Sequence, residues 1–165
     1  MKKRNKSYRP RHIQVDPVSW AIAGCHLFLT DTIKQITAPV KDAFVTLKQG
    51  KATRDDWNMI VQALNVAEAL CGAQIGPNLL PKIEKAQVSL KAIALRMCDG
   101  DAACKAPELA AVNEGIAMYC AQLKVCSQAE FGRALAYTKE MHRCGNADDV
   151  ARVYLKMAPQ ERIAA

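Results

Sequence analysis

Aromatic residues are scarce in this chain, at 5% of its 165 residues. No apolar run approaches the ~18 residues a membrane span requires. No stretch alternates apolar and polar side chains as a half-buried strand does, and no segment repeats. Cysteine pairs at the C-x₂₋₄-C spacing of structural zinc sites are missing, as are phosphate-cradling glycine motifs. These absences exclude a membrane-spanning helix and a zinc-knuckle module, and they argue against a sheet. Half the residues are apolar, and Ala, Leu, Ile and Val supply most of them, which favours packed helices over strands. A single domain of this length buries roughly 70% of its unfolded surface, enough for a core without covalent staples.

The net charge of +7 is unevenly placed. Lys2, Lys3, Arg4, Lys6, Arg9 and Arg11 fall in the first eleven residues, where there is no acid; the other 17 of the 23 cations face all 16 acids. The body is close to neutral and the basicity belongs to a tail. Seven cysteines make an odd number, and Cys25, Cys71, Cys98, Cys120 and Cys126 fall within or at the end of helical stripes. There a free thiol serves as a small hydrophobe. With no export signal, reduced thiols in a bacterial cytoplasm are expected.

Residues 1–16 precede any periodic pattern and read as a disordered basic arm. Asp16-Pro17 looks like a helix start. From Val18, an apolar seam runs through Ile22, Cys25, Leu29, Ile33, Ile36, Val40, Ala43 and Leu47 at coiled-coil-like spacing. Pro39 lies inside it, which predicts either one kinked helix or two helices meeting at Thr37-Ala38, the unbroken seam favouring the kink. Gly50 stands where a helix-terminating residue enters the left-handed region, and Thr53 with Asp56 resembles a capping box. Trp57, Ile60, Val61, Leu64, Ala67 and Cys71 then form one stripe, which fades at Gly72 and Gly76.

Pro77 and Pro81 introduce a third helix with Leu80, Ile83, Gln87, Leu90, Ile93 and Met97 on one face, ended by Asp99-Gly100-Asp101. Pro107 opens a fourth, carrying Leu109, Val112, Ile116, Tyr119, Leu123 and Cys126. Ser127 and Glu130 form another capping-box pattern before Phe131, Leu135, Thr138 and His142. Cys144-Gly145 ends that helix, and Asn146 with Asp149 can cap a short last one. The expectation is an all-α antiparallel bundle of five or six helices over residues 17–158, with a disordered basic N-terminal arm and a frayed end at 159–165.

The head KKRNKSYRPR, followed after a gap by LKQGKATRDDWNMIVQALNVAEAL, resembles a group of small phage and prophage proteins. Those carry a KKRNKxYRP-type head and a TQGxATRxD segment followed by an N(V)TEAL-type run. The matching positions are Lys2 to Pro10, Gln49 to Arg54, Asp56, Asn65, Val66 and Glu68 to Leu70, with a weaker echo in PELAAVNEGIAMYCAQL. The resemblance covers roughly a quarter of the chain. It implies phage or prophage origin and a helical fold, and it transfers no site residues.

Other candidate chemistry is better explained by structure. Cys98 and Cys104 flank a turn and could approach one another, whereas Cys120 and Cys126, six apart, would point in different directions on one helix. Cys25 beside His26 is not a dyad if both are helical, since neighbours there diverge by about 100°. Ile22-Ala23-Gly24-Cys25 fits a lipobox but lacks the apolar run before it. The Asp99-Gly100-Asp101 loop has Ala103, Cys104 and Ala110 where calcium ligands and the glycine belong. Asp55-Asp56 and Asp148-Asp149 sit at helix starts, where capping accounts for them. A helix-turn-helix at Gln49–Leu64 would present Asn58, Gln62, Asn65 and Glu68, a face without a cation.

The function expected is therefore non-enzymatic, with no catalytic residue, metal or cofactor. Six cations with Tyr8 interleaved suit phosphate contacts and base stacking. The candidate nucleic-acid-binding residues are Lys2, Lys3, Arg4, Lys6, Tyr8, Arg9 and Arg11. The alternative is a protein-binding regulator, for instance an inhibitor of a host enzyme or defence complex, with the near-neutral bundle contacting a host or phage protein. A third is self-assembly into a homodimer through the Val18–Leu47 seam. No membrane partner is expected.

Overall fold

The computed structural model describes residues 25–98 and 104–143, apart from the side chain of Cys98. Within them the chain is all-α, with five α-helices: α1 (Thr30–Lys48), α2 (Arg54–Gly72), α3 (Leu80–Cys98), α4 (Ala106–Leu123) and α5 (Gln128–Arg143). A single 3₁₀ turn, Pro77–Leu79, leads into α3. The arm, the start at Asp16-Pro17, the Asp99–Asp101 turn, Cys144-Gly145 and the short last helix lie outside the described residues.

The first junction is built as its sequence suggests. Gly50 adopts φ 67°, Gly50 N–H donates to Leu47 O at 3.0 Å, and Lys51 N–H donates to Thr46 O at 3.0 Å. This pair of bonds is a Schellman stop, and it satisfies carbonyls that α1 would leave bare. Thr53 and Asp56 then cap α2 reciprocally: Asp56 N–H donates to Thr53 Oγ1 at 3.2 Å and Thr53 N–H to Asp56 Oδ2 at 2.9 Å. Those bonds hold the Asp56 carboxyl below its ordinary pKa, the backbone bond from Thr53 contributing most. The same device starts α5, where Glu130 N–H donates to Ser127 Oγ at 3.3 Å and Ser127 N–H to Glu130 Oε2 at 2.7 Å.

Pro39 is accommodated inside one continuous α1. The ring lies on the exposed side, while Val40, Ala43 and Leu47 are buried. The seam does not begin as expected, however. Helix α1 starts only at Thr30, and Cys25 and Leu29 are exposed and non-helical. Residues 25–29 instead clasp the start of α5. Leu27 pairs with Ser127 in an isolated antiparallel bridge. His26 O accepts from Gln128 N–H at 3.0 Å, satisfying a donor in the first turn of α5 that has no partner within its own helix. Phe28 meets Phe131 edge-to-face at 5.4 Å. An extended segment wins here because it supplies a carbonyl and an aromatic ring where α5 needs them.

Helix α2 is central and packs against each of the other four. Ile60, Leu64, Ala67 and Leu70 are completely buried. It ends at Gly72, where the sequence has the stripe fade. The turn that follows holds two left-handed residues, Gln74 with φ 66° and Gly76 with φ 67°. Gln74 N–H donates to Cys71 O at 3.0 Å and Ile75 N–H to Leu70 O at 2.9 Å, a second Schellman stop with a non-glycine residue at its strained position. Helix α4 ends at Leu123, so Cys126 lies in the following turn, still completely buried.

Helices α3 and α4 run antiparallel in close contact. A Cβ placed on Gly115 would lie 2.5 Å from Ala86 Cβ and 2.9 Å from Leu64 Cδ2, so this crossing needs glycine. Arg96 grips Glu108 bidentately at one end of the pair, with Nη1 2.7 Å from Oε1 and Nη2 closing on Oε2. Lys82 meets Glu114 at 2.8 Å further along.

Candidate functional site

All seven arm residues proposed to contact nucleic acid, Lys2 to Arg11, lie outside the described residues. The structure does show where the described chain begins. Two residues after Cys25, Leu27 bridges to Ser127 in the α4–α5 turn, three residues beyond Lys124.

Lys124 also lines a concave part of the surface. A cleft of about 470 Å³ lies between α1 and α4. Its floor is apolar: Phe44 and Ile116 are buried beneath it, and Ala117 and Ala121 line it from α4. Lys41 and Lys48 rise from α1 and Lys124 from α4, and no acidic residue lines the cleft. A shallower extension continues past Leu109 and Ala110. Lys41 and Lys48 are seven residues apart, so the helix brings them to one face about 10 Å apart along its axis.

Among the described residues some cations sit in ion pairs, while others, Lys51 and Lys139 for example, do not. Lys34 pairs with Asp31, Lys82 with Glu114, Arg96 with Glu108 and Arg143 with Glu140. Among the described residues, Lys41, Lys48 and Lys124 make no ion pair. Lys48 Nζ stands 5.7 Å from the centre of the Phe44 ring, a cation–π contact that leaves its charge uncompensated by a carboxylate. Cys120 lies half-buried in the cleft. Burial pushes its thiol pKa up, and the neighbouring Lys41 and Lys124 pull it part of the way back.

The other thiols are dispersed. Cys71 is buried and donates to Gly76 O at 3.2 Å, burial raising its pKa. Cys126 is buried and likewise raised, chiefly by desolvation. Cys104 Sγ lies 3.8 Å from Leu47 O, tying the start of α4 to the end of α1. Cys25 and His26 are exposed and outside any helix, which corrects the helical placement expected for them. Among the described residues, no group of three or more His, Cys, Asp or Glu is placed to hold a metal ion. No helix among them is long and apolar enough to cross a membrane.

Two of the side chains that a DNA-reading helix would present, Asn65 and Glu68, are occupied within the bundle. Gln87 Nε2 donates to Glu68 Oε2 at 2.7 Å and to Asn65 Oδ1 at 3.3 Å, joining α2 to α3. One polar residue escaped the sequence reading. Gln122 is completely buried, and its Nε2 donates to Ile75 O at 2.8 Å and to Ala67 O at 3.1 Å. It fastens the strained turn after α2 to α4. The signal was available, since Gln122 stands three residues after Tyr119 on the buried stripe.

The seam proposed for self-assembly is used inside the chain. Val40, Ala43 and Leu47 belong to the core, and Ile33 and Ile36 pack against it. No family model, no curated protein and no solved structure matches this chain.

Proposed function

We propose that this chain is a non-enzymatic accessory protein of phage or prophage type that contacts nucleic acid, or a nucleoprotein complex, through its basic arm. The observation that carries this reading is the segregation of charge. Lys2, Lys3, Arg4, Lys6, Arg9 and Arg11 stand in eleven residues with no acid, on a chain otherwise almost neutral. Such a run neutralises phosphates, and Tyr8 within it offers a stacking surface. The resemblance of KKRNKSYRPR and QGKATR to phage proteins supports the origin.

Deleting residues 1–11 is expected to abolish a salt-sensitive mobility shift of duplex DNA or RNA while leaving the helical circular-dichroism spectrum intact. A shift that survives the deletion contradicts the reading. The second reading, a protein-binding regulator working through the bundle, is favoured by the cleft between α1 and α4.

A further inference from the structure

The cleft between α1 and α4 has a shape, a floor and a charge that together specify an occupant, and we propose that it docks an acidic amphipathic helix of a partner protein. This rests on the protein-binding reading and is independent of the arm.

The length is set by the helices. From Leu109 to Lys124, α4 advances fifteen residues, about 22 Å, or four turns. A partner helix of about fifteen residues spans that distance. The floor suits such a helix. Ala110, Ala117 and Ala121 are exposed on α4, and small side chains let a second backbone approach closely. Val45, 44% exposed on α1, offers an apolar wall. Leucine-sized side chains from a partner would be desolvated against Val45 and these alanines, with Phe44 and Ile116 closing the floor beneath them.

Charge selects the sign of the rim. Lys41, Lys48 and Lys124 carry three positive charges around the cleft, with no acid in its lining. Carboxylates seven residues apart on the partner would meet Lys41 and Lys48, and a third across the groove would meet Lys124. Such pairs steer docking and exclude basic helices more than they add affinity.

Nucleic acid suits the cleft less well. Base stacking requires an exposed aromatic face, and the cleft's aromatic ring, Phe44, is only 8% exposed and lies beneath Lys48. Apart from its three lysines, the lining offers one side-chain amide, Asn113, and is otherwise apolar side chains and the Cys120 thiol, so it has little with which to read a base edge.

The test uses the full chain and a fluorescein-labelled sixteen-residue helical peptide with leucines along one stripe and glutamates flanking it. Anisotropy is expected to show saturable binding. The K41E/K48E/K124E variant is expected to weaken it by about tenfold or more, as three rim pairs together imply. The same peptide with lysines for glutamates should bind that variant and not the original chain. Ala117→Trp, which fills the groove without changing charge, should abolish binding. As these positions are at the surface, circular dichroism should show all variants folded.

A second readout is alkylation. The bound peptide should protect Cys120 from iodoacetamide and leave the exposed Cys25 reactive. Absence of binding, or binding indifferent to the charge reversal and to Ala117→Trp, overturns the proposal. Protection of Cys120 by a single-stranded oligonucleotide but not by the peptide also overturns it, in favour of a nucleic-acid groove. Host proteins captured equally by the original chain and both groove variants overturn the cleft while leaving the broader protein-binding reading standing.

Discussion

Helix α4 presents two faces that have been finished differently. Toward α3 it brings Gly115 so close to Ala86 that a methyl group would not fit, and the cations along that seam, Lys82 and Arg96, meet carboxylates. Toward α1 it shows alanines and Lys124 across an open cleft, with Lys41 and Lys48 opposite and no acid among them. A chain that can pair its charges and close its backbone contacts on one face has left both undone on the other. Tight, paired packing specifies the fold; the other face leaves an apolar trough edged by lysines at the surface.

The largest expected effect breaks the closed face. Gly115→Ala should destabilise the chain by about 1–3 kcal/mol through overpacking, despite the better helix propensity of alanine. Ala117→Leu, two residues away on the open face, should change stability by no more than about 0.5 kcal/mol. Chemical denaturation of the two variants side by side measures the contrast.

Next in size is the clamp at the end of that face. Arg96→Met removes a partly buried bidentate pair and should cost about 1–2 kcal/mol. The pair also predicts a pH dependence. The hydrogen bond from Arg96, followed by smaller contributions, holds the Glu108 pKa below its ordinary value of 4.5. A carboxylate with a depressed folded pKa adds stability above its unfolded pKa and loses it as pH falls through the folded value. The chain should therefore lose this contribution only below about pH 4.5, and Glu108→Gln should flatten that acid limb in urea titrations.

The smallest effect is a gain. Gln74 holds a left-handed conformation that costs a residue with a side chain about 1–2 kcal/mol. Glycine relieves it but adds freedom to the unfolded chain. Gln74→Gly should therefore raise the urea midpoint by the equivalent of about 0.5–1 kcal/mol. The same change at Ala73, which has no left-handed backbone to relieve, should not.

The sequence made some of this architecture readable and not the rest. Capping chemistry is local, so Thr53 with Asp56 and Ser127 with Glu130 marked the starts of α2 and α5 correctly. Buried stripes at three- and four-residue spacing exposed the inward faces of α2, α3 and α4. The segment from Cys25 to Leu29 was misread because its spacing continues a helical seam. Its conformation is decided instead by Ser127 and Gln128, about a hundred residues away. Gln74 was missed because glutamine carries no local signal for a left-handed backbone; its conformation follows from the stop that Ile75 and Leu70 close around it. The cleft could not be read at all. Its existence depends on how far α1 and α4 stand apart, and its charge on which lysines go unpaired across that gap. The arm was the clearest chemical signal in the chain, and it lies outside the described residues.

The central claim is that the chain carries two distinct positive surfaces, an arm for phosphates and a cleft for an acidic helix. The salt dependence of duplex binding tests it most directly. If all six arm cations engage phosphates, log K should fall against log salt with a slope of about −5. Deleting residues 1–11 should abolish that dependence, and K41E/K48E/K124E should leave the slope within about one of its original value. A slope reduced as much by the cleft variant as by the deletion, or one that persists without the arm, contradicts the separation of the two surfaces.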